Sequence, residues 1–142
     1  MRISDVVKSK GSQVITVRPE DTVAHLLKVL ADHRIGAVVV SGDGASVEGI
    51  VSERDVVRHL HSSGTSVVDG PVHAIMTREV VTCEPSLSVE ELEASMTEHR
   101  IRHVPVVVDG ALTAIVSIGD IVKHHMDQLR HERDQLVGYI QQ

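Results

Sequence analysis

VITVRPEDTVAHLLKVLADHRIGAVVV, residues 14–40, decides the fold because a second version of it follows in the same chain. Laid over VVTCEPSLSVEELEASMTEHRIRHVPV, residues 80–106, it matches at Thr16/Thr82, Pro19/Pro85, Val23/Val89, Leu26/Leu92 and Val38/Val104. The triplet His33-Arg34-Ile35 recurs as His99-Arg100-Ile101. After a one-residue gap in a turn, Ile50-Val51-Ser52 falls on Ile115-Val116-Ser117, Asp55 on Asp120 and Val57 on Val122. Register kept at both ends of a unit of roughly 60 residues marks a tandem duplication.

Each copy has the same pattern. A β-like run (Val14–Val17; Val80–Cys83) ends before a proline (Pro19; Pro85), which cannot donate to a ladder. An amphipathic helix follows. In copy one, Val23, Leu26, Leu27, Leu30 and Ala31 fall on one helical face. Thr22 and Ser88 are placed as N-caps, and Ser88 with Glu91 has capping-box spacing. The apolar runs Ala37–Val40 and Val104–Val108 predict strands buried on both faces. Turns rich in Gly and Asp lead to further strands at Val47–Val51 and Leu112–Val116. A second helix then starts near Asp55 and Asp120, where a carboxylate suits the positive helix end. Each unit is therefore βαββα.

Composition narrows the function classes. The chain has 142 residues, within the range of one compact domain, and a hydrophobic fraction of 42%. With no Trp, no Phe and one Tyr, the core must be aliphatic, and platforms for stacking bases are missing. A net charge of −6 repels phosphate backbones, so nucleic acid is not an expected partner. No apolar run reaches the roughly 18 residues of a membrane helix, and MRISDVVKSK lacks a signal-peptide core. The expectation is a cytoplasmic protein without membrane contact. The single Cys83 excludes a disulfide framework within one chain. His59 and His61, or His124 and His125, do not share a helical face, so no metal site is expected. No P-loop, dinucleotide fingerprint or Gly-x-Ser-x-Gly elbow is present, and the chain is not expected to be an enzyme.

The pattern V-x-T-V-x-P, a helix, HRIGAVVV or HRIRHVPVV, then G-I-V-S-x-x-D-V-V resembles the CBS (cystathionine β-synthase) domain. The likeness runs from about residue 3 to about residue 126. Ile75-Met76-Thr77 resembles the usual lead-in to a second such domain, and Ser52-Glu53-Arg54-Asp55 resembles the small stand-alone bacterial pairs. The resemblance implies an α+β (mixed α/β) fold: a tandem βαββα pair, or Bateman module, with pseudo-twofold symmetry and two clefts. Residues 1–66 would form the first domain, 67–126 the second, and 127–142 a helical extension. Such modules bind adenosine-containing ligands (AMP, ADP, ATP, NAD(H) or S-adenosylmethionine), require no cofactor, and dimerise.

Candidate site residues follow. Asp55 and Asp120 are expected ribose anchors, since a carboxylate accepts hydrogen bonds from sugar hydroxyls. Ser52 and Ser117, three residues earlier, would aim at sugar or phosphate. The plain alternative is that Asp and Ser merely cap helices, and the two roles are compatible. By the resemblance, the main chain at Ala37, Val38 and Val39, and at His103, Val104 and Pro105, lines adenine pockets, with the valine side chains in the core. Arg102 and His103 would meet phosphate, as would Arg54 at a helix start. The resemblance also implies a crossing: Thr77, Arg78 and Val80 would join Asp55, while Ser12, Gln13 and Val14 would join Asp120. Arg54 stands opposite Gly119, and Ala37 opposite His103, so the two clefts are expected to differ.

Near the C-terminus, Val122, Met126, Leu129, Arg133, Leu136 and Ile140 step by four and three, a heptad seam with one charged member. A helix this long outruns what a CBS domain needs, and its stripe predicts a homodimer rather than a fold-back onto its own module. The expected function is a ligand sensor that reports to an unidentified regulated protein. The alternative is a structural dimerisation module with vestigial clefts.

Overall fold

The computed structural model describes residues 1–11 and 13–141. A short helix, α1 (Ile3–Lys10), precedes β1 (Thr16–Val17), α2 (Val23–His33), β2 (Ala37–Val40), β3 (Gly49–Ser52) and α3 (Glu53–Ser63). Two 3-10 turns, Thr65–Asp69 and Val72–Ala74, lead to α4 (Val89–His99), β4 (His103–Val108), β5 (Ala111–Ser117) and α5 (Ile118–Ile140). The duplicated sequence thus becomes a duplicated α+β unit. The boundary at 66/67 falls inside the first 3-10 turn, and α5 runs unbroken through 126/127.

Local chemistry sets the helix ends. Thr22 accepts a hydrogen bond from His25 N, and Ser88 and Glu91 close a reciprocal capping box. Both α2 and α4 stop at an arginine in the left-handed region, Arg34 at φ 54° and Arg100 at φ 55°. The next amide reaches back five residues: Ile35 N to Leu30 O at 3.1 Å, and Ile101 N to Met96 O at 3.0 Å. This is the Schellman helix stop, and both isoleucines pack against the core as that motif prefers. The recurring His-Arg-Ile triplet is a termination signal.

In copy one, β1 runs parallel to β2, which pairs antiparallel with β3. In copy two, β4 and β5 form an antiparallel pair. The expected first strands are shorter than their patterns. Val14–Val17 contributes only Thr16 and Val17, and Val80–Cys83 makes no strand, only a parallel bridge from Cys83 to Val106. Proline explains the difference. Cys83 N donates to Pro105 O and Val107 N to Cys83 O, but Pro105 has no N–H to extend the ladder.

The core has two clusters, and the lead-in segments cross between them. Val17, Val23, Leu26, Leu30, Val38, Val51 and Val56 from copy one enclose Val72 and Ile75, which precede copy two. Val89, Leu92, Met96, Val104, Val116 and Ile121 from copy two enclose Ile3 and Val6 of α1, which precedes copy one. Leu27 and Ala31, expected on the buried face of α2, are exposed. One sheet covers a narrower stripe than the pattern spans, and Val23, Leu26 and Leu30 fill it. The copies also touch through their turns, where Leu112 N donates to Ala45 O at 2.7 Å.

Candidate functional site

In both copies a strand passes into a helix with no loop between, and Ser-x-x-Asp marks the junction. Ser52 N donates to Asp55 Oδ2 at 2.9 Å while Asp55 N donates to Ser52 Oγ at 3.3 Å. Ser117 N donates to Asp120 Oδ2 at 2.8 Å, and Asp120 N to Ser117 Oγ at 3.1 Å. Both pairs are therefore capping boxes. Each box uses Oδ2. Among the described residues Oδ1 of either carboxylate has no hydrogen-bond partner, which leaves one acceptor unused in each.

Strand pairing brings the other candidates to these junctions. Ala37 is the cross-strand partner of Ser52, and His103 that of Ser117. The main chain closes each junction the same way: Glu53 N donates to Gly36 O at 3.0 Å, and Ile118 N to Arg102 O at 2.8 Å. Val38 and Val104 are 1% and 0% exposed, so their side chains belong to the core. Pro105 is buried as well.

Each lead-in segment packs against the opposite copy, Val72 and Ile75 in the first core cluster and Ile3 and Val6 in the second. Thr77 forms a two-way main-chain bridge with Ile50, at 2.9 and 2.8 Å, alongside the strand that leads to Asp55. Arg78 is exposed and Val80 half-buried just beyond it. On the other side, Gln13 is exposed and Val14 half-buried, while Ser12 lies outside the described residues. The residue that reaches Asp120 there is Lys10. Its ammonium lies 2.7 Å from Asp120 Oδ2 and also bonds the carbonyl of Ile115. Sequence reasoning missed Lys10. Extending the repeat backward would have placed it on Met76, one residue from the bridging Thr77.

Charge differs between the junctions. Burial pushes the Asp120 carboxyl up, but hydrogen bonds from Lys10 and Ser117 outweigh it and hold the net value below the usual range. His103 is held below an ordinary histidine, by burial first and then by the Lys10 charge, against the pull of Asp120 and Glu53. Asp55 makes no ion pair among the described residues. Arg54 does not sit apart as a copy-one feature. It shares a depression of about 280 Å3 with Arg100, Arg102, Thr97 and Ile118, at the seam between the copies. None of those three arginines forms an ion pair among the described residues. A larger hollow of about 720 Å3 lies beside Cys83, Glu84, Glu91 and Asp109. Its acidic lining suits no phosphate, and it contains no expected site residue. Among the described residues no group of His, Cys, Asp and Glu is arranged to hold a metal.

Two units of one design with crossed lead-ins define a class, and comparison with known proteins gives it a name. The CBS domain family matches residues 3–62 and again 72–127, so the chain belongs to that family. The mitochondrial CBS domain-containing protein CBSX3 of Arabidopsis thaliana is 37% identical over 147 residues, covering 98% of this chain and 71% of the relative. A crystal structure of a CBS-domain containing protein from Agrobacterium tumefaciens superposes with a TM-score of 0.84 at 39% identity, covering 88% of this chain and 99% of that one. The CBS domain pair of protein MJ0100, solved in complex with 5′-methylthioadenosine and S-adenosyl-L-methionine, shares the fold with a TM-score of 0.79 at 23% identity, covering 90% of this chain and 98% of that one. The CBS pair is a regulatory module. No helix among the described residues is long and apolar enough to cross a membrane.

Proposed function

We propose that this chain is a cytoplasmic, homodimeric ligand sensor without catalytic activity of its own. It takes an adenosine-containing ligand (AMP, ADP, ATP, NAD or S-adenosylmethionine) in each of the two clefts at Asp55 and Asp120. The observation that carries the reading is the duplicated junction. In each copy a carboxylate at a helix start keeps one oxygen free, beside strand main chain and a lead-in segment from before the other copy. A ribose hydroxyl donates to that oxygen, and the helix N-terminus with Arg54 and Arg102 favours phosphate. The fold neighbour bound to 5′-methylthioadenosine and S-adenosyl-L-methionine is in line with this ligand class.

A ligand shifts a conformational balance only by binding its states unequally. Here the balance is the relative rotation of two halves joined by crossed segments, and a partner protein reads it. Calorimetric titration with AMP, ATP, NAD and S-adenosylmethionine tests the reading. At least one binds, and Asp55→Ala with Asp120→Ala weakens it by more than about tenfold, the scale of lost charged hydrogen bonds. Silence toward all four ligands sinks the sensor and leaves a structural dimerisation module with vestigial clefts. That second reading draws on the capping boxes, which would preserve both aspartates for folding alone.

A further inference from the structure

Lys10 is the last residue of α1, and the apolar side chains that anchor this helix, Ile3 and Val6, are fully buried in copy two. The helix therefore delivers the Lys10 ammonium to a set place, against Asp120 Oδ2 and the Ile115 carbonyl. These two groups lie on the junction that copy two would offer to a ligand. Copy one has no such latch, because the position equivalent to Lys10 is Met76, which packs against Gly49. The chain thus carries one junction without an ion pair and one whose carboxylate has an internal cation on Oδ2.

Resting on the cleft assignment above, we propose that Lys10 sets the specificity of the Asp120 cleft, admitting adenosine ligands that carry a 5′-phosphate and excluding the uncharged nucleoside. One sugar hydroxyl can use the free Oδ1 of Asp120, but a 2′,3′-diol that takes both carboxylate oxygens competes with the ammonium for Oδ2. A ligand with a phosphate gives the displaced ammonium a new anionic partner, so the exchange is nearly balanced. An uncharged nucleoside breaks the pair and returns nothing. Glu53 and Arg102 also act on His103 in this region, but neither bonds Lys10. Copy one, with methionine in the equivalent place, is the built-in control.

The test is calorimetric titration of the full chain with AMP and with adenosine, on the native protein and on Lys10→Met, which copies Met76. In Lys10→Met, adenosine binds the Asp120 cleft roughly fivefold more tightly and AMP does not gain, the scale of a partly exposed ion pair. Repeated in an Asp120→Asn background, which keeps the helix cap, the substitution has no effect. An equal gain for AMP and adenosine overturns the proposal, since the lysine then only blocks. An unaltered ratio with both ligands bound also overturns it and leaves the sensor reading standing. Absence of binding by AMP and adenosine to every variant overturns the role of Lys10, while the sensor reading is then decided separately by ATP, NAD and S-adenosylmethionine.

Discussion

Gly49 opens β3 where the lead-in of copy two crosses it. A β-carbon there would stand 2.7 Å from Met76 Sδ and 2.9 Å from Thr77 O. The methionine can move, but the carbonyl belongs to the bridge between Thr77 and Ile50 and cannot. Gly49→Ala is expected to cost about 1–3 kcal/mol through strain, read as a lower urea midpoint, and to loosen Thr77 from its bridge to Ile50. An unchanged midpoint would mean that the segment shifts freely. Ser52, Asp55, Ser117 and Asp120 show how residue-level reading succeeds and where it stops. Their spacing suggested a cap and a site together; the structure shows the cap, and leaves the other carboxylate oxygen without a partner among the described residues. Cys83, by contrast, has no part in either. It is buried, its thiol is pushed up to about 11, and the fold uses it as a small apolar side chain.

Among the elements, α5 departs most from the needs of its own module. Of its 23 residues only Ile121 is buried. Val122, Met126, Leu129, Leu136 and Ile140 are 49, 48, 64, 63 and 79% exposed, so the helix does not fold back on the module. At about 1.5 Å per residue it extends some 35 Å, and the intruder in its seam, Arg133, is engaged with Asp134 at 3.1 Å. In the proposed homodimer, a second copy of the same helix would cover this solvated apolar stripe at heptad spacing. Leu129→Glu with Leu136→Glu is expected to convert the proposed dimer to monomer in light scattering at micromolar concentration, each lost anchor costing on the order of 2 kcal/mol. Helical content by circular dichroism should hold, because the buried end of the helix is untouched. A dimer that survives both charges would place the interface elsewhere.

At the scale of the molecule the crossed lead-ins matter most. Because α1 fills the core of copy two and Val72 and Ile75 fill the core of copy one, neither copy completes its interior from its own βαββα unit. Ile3 is 0% exposed in the second cluster, although copy two begins far along the chain. Ile3→Ala is expected to destabilise by about 2–5 kcal/mol and to lower one shared unfolding transition in urea. Two separated transitions would show instead that the halves fold independently. The same crossing carries Thr77 to the first junction and Lys10 to the second, so both candidate clefts depend on it.

Much of this was open to reading along the chain. The duplication is a matter of residue identity, and periodicity reports local geometry, so the repeat, the helix caps, the strands of each hairpin and the serine–aspartate pairs could be read in order. Three features could not. Whether Val80–Cys83 becomes a strand turned on the missing N–H of Pro105, on a different segment. How much of the α2 stripe is buried turned on the width of sheet beneath Val23, Leu26 and Leu30. That Lys10 rather than Gln13 or Val14 meets Asp120 depended on how α1 docks into the opposite copy. Local pattern records what each segment can become, whereas pairing partners, covered area and the reach of a long side chain are set by residues distant in sequence. Only the folded chain brings those together.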